Sequence, residues 1–97
     1  RYELARWSGE AGDAAEAVAA CEDVLTDQSR VLGPDHPSTL ATRAGLASLL
    51  GKARGPAHAV AEYDAVLADQ LRVLGPDHPS TATVHRELVR WRDRLSR

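Results

Sequence analysis

A chain of 97 residues, 43% hydrophobic and 27% charged, describes one modest domain, too short to bury a large single core. A formal net charge of −2 supplies no clustered positive field, which argues against nucleic acid and anionic membrane as partners, since both are bound by releasing counterions to basic surfaces. Apolar runs of a few residues fall short of the roughly 20 needed to span a bilayer, and no charged-then-apolar leader precedes the first repeat, so the chain reads as cytoplasmic. Cys21 is the only cysteine, which rules out an intrachain disulfide and a Cys-based metal site within one chain; it is expected as a buried, reduced thiol.

The segment RVLGPDHPST occurs at Arg30 to Thr39 and again at Arg72 to Thr81, a period of 42 residues. Laying residues 1–55 on residues 43–97 gives 24 identities in 55 pairs, so the repeat extends well beyond that segment. Such self-similarity marks stacked units, each burying its face against its neighbours. In chain order, residues 2 to 9 match only the second half of a later helix, here called the A type. Arg1 aligns with Arg43, inside that helix, so the chain reads as a piece of a longer protein.

From Asp13 to Leu32, Ala17, Val18, Cys21, Val24, Leu25, Val31 and Leu32 recur at spacings of three and four. That pattern predicts a helix with one apolar face, the B type. Gly33 can close it in a left-handed conformation and Pro34 forbids its continuation. His36 precedes Pro37 and is pushed out of the helical region, so Pro37 opens the next helix. Asp35 is expected beside the positive end of that helix, accepting backbone N–H bonds.

Leu40, Ala44, Ala47, Leu49 and Leu50 then predict a shorter A helix ending near Gly51, with a break from Lys52 to Gly55. Pro56 to Leu74 repeats the B pattern with Ala59, Val60, Tyr63, Val66, Leu67, Val73 and Leu74, and Gly75 to His78 repeats the break. Pro79 to Leu95 is a second A-type helix, more polar than its template, with Leu88, Trp91 and Leu95 as its expected buried side. A terminal unit needs one apolar and one wetted face, so residues 79–97 read as a C-terminal cap. Five helices and no strands are predicted: an all-α array with a partial first repeat at 1–32, a second at 33–74 and the cap helix of a third at 75–97.

Helix pairs with a small residue in A, a second small residue opening B and an aromatic four later resemble the tetratricopeptide repeat. Here those positions are Ala47, Ala59 and Tyr63, with Leu46 and Leu50 as the large residues of A. The 42-residue spacing with its LGPDHPST linker is similar to the longer subclass found in kinesin light chains and in bacterial multidomain signalling proteins. The resemblance implies antiparallel helix-turn-helix repeats in a right-handed superhelix, whose concave face, lined by A helices, holds a protein or peptide. Carried over position by position, that groove comprises Glu3 and Arg6 in the first unit, Ala41, Gly45 and Ser48 in the second, and Thr83, Arg86, Glu87 and Arg90 in the third. Gly45 stands where the subclass commonly has Asn, and no Asn and Lys carboxylate clamp is present.

Other chemistry finds little support. His36 and His78 lie a full repeat apart and read as turn and capping residues, while His58 and His85 lack paired metal-ligand spacing. Ser38, Ser80, Thr39 and Thr81 fall in first helical turns with no base or oxyanion site beside them. Neither a cofactor nor an enzymatic activity is expected. Two readings result: a protein-interaction module of a larger bacterial regulatory or scaffold protein, and a structural element that self-associates through the exposed edge of the truncated first repeat.

Overall fold

Pro37, Pro56 and Pro79 each occupy the first turn of a helix, where the missing N–H would have had no helical partner and the fixed φ suits the turn. The computed structural model describes residues 14–96. They form α1 (Ala14–Val31), α2 (Pro37–Arg54), α3 (Pro56–Val73) and α4 (Pro79–Leu95), with no strand among the described residues. The half-helix expected over residues 2 to 9 lies outside them. The chain is an all-α array of helical repeats.

The two five-residue linkers are built alike. Gly33 and Gly75 take φ of 97° and 87°, a region closed to most side chains. His36 and His78 then cap α2 and α4: each Nδ1 accepts from a backbone N–H, that of Ser38 at 3.0 Å and that of Ser80 at 3.1 Å. Capping falls to the histidines rather than to Asp35 and Asp77, because the residue immediately before Pro holds the extended backbone from which a side chain reaches the first turn. Asp35 instead accepts two bonds from Arg72, at 2.9 and 3.3 Å, tying the first linker to the end of α3.

The turn between α2 and α3 is a single residue. Helix α2 runs through Gly51 and Lys52 to Arg54, and only Gly55, at φ 105°, leaves the helix. The expected stop near Gly51 is therefore corrected, and the reason is packing. A Cβ on Gly51 would lie 2.5 Å from Trp91 Cη2 and 2.8 Å from Ala59 Cβ, so this glycine is where α2, α3 and α4 converge. Ala59 is fully buried at the same crossing.

Each helix packs chiefly on its neighbours in the chain, with a slighter contact between α2 and α4. Val18 and Cys21 of α1 meet Leu46 and Leu50 of α2. Ala47, Ala59, Tyr63, Val66, Val84, Leu88 and Trp91 form the larger cluster joining α2, α3 and α4. Burying a side chain such as Leu88 or Val66 contributes about 1.5–3 kcal/mol. The apolar stripes are shorter than their sequence pattern: Val31, Leu32, Val73 and Leu95 are exposed. All four lie at helix C-termini, beyond the reach of the facing helix.

Candidate functional site

Residues 41, 45, 48 and 52 of α2 advance by four, three and four, and so share one face of the helix. Their counterparts one repeat later are 83, 87, 90 and 94 of α4. Single short connections make consecutive helices antiparallel, which leaves α2 and α4 running the same way, side by side, with their equivalent residues level. The shallow groove between them contains two cavities.

The first, of about 280 Å³, lies between the N-terminal halves and is lined by Ala41, Ala44, Gln70, Pro79, Ser80, Thr83 and Val84. Its walls are mainly apolar. Gln70 reaches it from α3 and is 1% exposed, and its side-chain Oε1 has no hydrogen-bond partner. Gln28, its counterpart in α1, also leaves Oε1 unpartnered. An amide buried without a partner costs on the order of 1–3 kcal/mol, and the cost recurs at the same repeat position.

The second cavity, of about 210 Å³, lies a little over two turns further along and is polar, lined by Ser48, Lys52, Glu87, Arg90, Trp91 and Arg94. Three cations and one carboxylate face it, a local charge of +2 (+3 − 1) on a chain whose net charge is −2. Arg90 donates to Glu87 at 3.1 Å. The Arg94 guanidinium sits 4.6 Å from the centre of the Trp91 ring, which fixes it by cation–π attraction. Beneath, Tyr63 is buried in the cluster that also holds Trp91. Burial, with the Glu87 charge adding to it, raises the Tyr63 pKa, and the neighbouring Ser48 and Trp91 side chains offset part of the rise.

Elsewhere the titratable groups serve the frame. Hydrogen bonds from Arg43 and Arg72 hold the Asp69 carboxyl below the usual range, joining α2 to α3. Burial pushes the Cys21 thiol up; a buried thiol of this kind is unreactive. Among the described residues no group of three or more His, Cys, Asp or Glu could hold a metal ion, and no helix is long and apolar enough to cross a membrane.

Repeated helix pairs at a 42-residue period, with α2 and α4 presenting equivalent faces to one groove, agree with a comparison to family models, in which one described as Tetratricopeptide repeat matches residues 1–68. The chain belongs to the tetratricopeptide repeat family. No curated protein and no solved structure matches it. Tetratricopeptide repeats generally mediate protein–protein interaction and are generally not catalytic.

Of the groove positions read from sequence, Glu3 and Arg6 lie outside the described residues. Ala41 and Thr83 line the apolar cavity, and Ser48, Glu87 and Arg90 the polar one. Gly45 lies exposed between them, and a Cβ there would meet nothing within 4 Å. Arg86 lines neither cavity; it is exposed and donates to Thr83 Oγ1 at 3.5 Å. Lys52, Arg94 and Gln70 were missed. The signal for the first two was present, since they continue the i+4 progression from Ser48 and Arg90; Lys52 was hidden by the helix stop assigned before it.

Proposed function

We propose that this chain binds another protein through the groove between its A-type helices α2 and α4, as the interaction module of a larger protein. The carrying observation is that equivalent faces of two successive repeats converge on one groove with an apolar cavity at one end and a cationic one at the other. Arg at such a wall makes paired, directional bonds to carboxylates and carbonyls and is favoured at binding hot spots. The outward surfaces of α1 and α3 carry scattered solvated charges instead, such as Glu22 and Glu62. The 42-residue spacing supports membership of the longer, kinesin-light-chain-like subclass, and with it a place in a bacterial regulatory or scaffold protein.

The test is selection from a random linear-peptide display library on the immobilised chain, followed by affinity measurement of the selected peptides. Arg86→Glu with Arg90→Glu is expected to weaken binding at least about tenfold, the loss that corresponds to 1.4 kcal/mol, with helicity and Tm nearly unchanged. Glu22→Lys with Glu62→Lys is expected to leave binding intact. The reverse pattern puts the interface on the outer helices.

A further inference from the structure

Neither cavity suits a free small molecule, for each falls below the roughly 300–1,000 Å³ of ordinary ligand pockets. Their chemistry also differs. The 280 Å³ cavity offers aliphatic walls and a buried amide whose oxygen lacks a partner. The 210 Å³ cavity offers Lys52 and Arg94, in addition to the Arg90 already engaged by Glu87. One linear molecule with an apolar group, a backbone amide and a carboxylate satisfies both.

The spacing between them sets a ruler. On α4 the first cavity centres near residues 81 and 82 and the second near 90 and 91. On α2 the step is from 41 and 44 to 48 and 52. At 1.5 Å per helical residue these steps are about 11–13 Å. An extended chain rises about 3.3 Å per residue, so the step is three to four residues of bound peptide. Side chains of an extended strand alternate faces; only an even separation puts two of them into the same groove.

We infer that the groove selects an extended peptide in which a small aliphatic residue and an acidic residue stand four apart, the aliphatic one over Gln70 and the acidic one between Lys52 and Arg94. This rests on the proposed groove and specifies its ligand. A backbone N–H of the peptide supplies the donor that the Gln70 Oε1 lacks. The carboxylate meets a cationic pocket on an otherwise acidic chain, so that the pocket discriminates by charge.

The experiment is a titration of the isotopically labelled 97-residue chain with acetylated seven-residue peptides in a serine background. One carries Val and Glu four apart, a second carries them in reversed order, a third has them three apart, and a fourth replaces Glu by Gln. Shifts are read at the Gln70 side-chain amide, the Trp91 indole and the exposed α1 and α3 amides. One of the two four-apart peptides is expected to shift both Gln70 and Trp91 at millimolar concentration or below. The three-apart and Gln peptides are expected to bind about tenfold more weakly, as is the best peptide to Lys52→Gln with Arg94→Gln, both exposed positions. Gln70→Met tests the amide with a side chain of like length, and the surface variants decide the matter if that variant does not fold. Shifts confined to α2 and α4 that ignore spacing and charge overturn this inference and leave the groove standing. Shifts confined to α1 and α3 overturn both, and no shift at Gln70 or Trp91 overturns the two-point ligand.

Discussion

Helices α2 and α4 are copies of one template offset by 42 residues, and their differences fall on both of their packing sides. Toward the preceding helix both keep a buried leucine, Leu46 against α1 and Leu88 against α3. Toward the following helix they diverge: Ala47, fully buried, becomes Val89, 50% exposed, and Gly51 at the three-helix crossing becomes Asp93. The face toward the preceding helix changes as well: Leu50, packed with Cys21 of α1, becomes Arg92, which donates to Asp64 of α3 at 2.9 Å. Where α2 packs on α3 through Ala47 and Gly51, α4 carries Val89 and Asp93, while the leucine that docks on the preceding helix is kept in both.

The contrast can be broken at several strengths. Leu88→Ala should cost the most, about 2–5 kcal/mol from lost burial and the cavity left behind, and a denaturant-midpoint loss under about 1 kcal/mol would show that this face does not hold α4. Gly51→Ala should cost about 1–3 kcal/mol by overpacking, because the new methyl meets a buried ring and Ala59 rather than a flexible chain end. Ala59→Leu, on the other side of that crossing, falls in the same range; an unchanged midpoint would remove the crossing from the account. The paired swap is sharper still: Ala47→Val should destabilise by about 1–2 kcal/mol, whereas Val89→Ala should stay within about 0.5 kcal/mol. Equal effects would mean that both faces are packed.

The smallest effect is electrostatic. Asp69, held charged by bonds from Arg43 and Arg72, has its pKa lowered in the folded chain. Its contribution is therefore complete above the unfolded carboxylate value of about 3.9 and fades as pH falls below that through the folded value. Asp69→Asn should flatten this acid limb in urea midpoints measured from pH 6 downward and leave the slope near neutrality unchanged. A third-exposed pair on the surface is screened, so the change should shrink in high salt.

What the sequence made legible followed from local rules. The linkers, their closing glycines and the helix-opening prolines rest on backbone constraints carried by one or two adjacent residues, and all appear where those constraints put them. The errors share a different origin. From sequence Gly51 reads as a helix end, yet its place is set by Trp91, forty residues away in the chain. Val31, Leu32 and Leu95 continue an apolar period past the point where the partner helix ends, and periodicity does not register where a neighbour stops. Asp35 and His36 both offered a cap; the histidine next to the proline takes it in both linkers, and Asp35 pairs with the distant Arg72, which no local rule shows. Along the groove, the lining of Ala41, Ser48 and Arg90 was accessible from register, whereas the buried amide of Gln70 on α3 required knowing that α3 floors the space between its neighbours.

Packing that runs almost wholly between helices adjacent in the chain has a kinetic meaning. The separations closed on folding are short, and such low contact order goes with fast folding. No step requires distant ends to meet, so the array can start at any helix pair and grow outward, with stability passed along as nearest-neighbour coupling. Among the described helices, α2 and α3 each pack on two neighbours and are then the last to open, after α4. Amide hydrogens should exchange in that graded order, and a partner seated between α2 and α4 would slow exchange at α4 most, giving it a second covered side like those of α2 and α3.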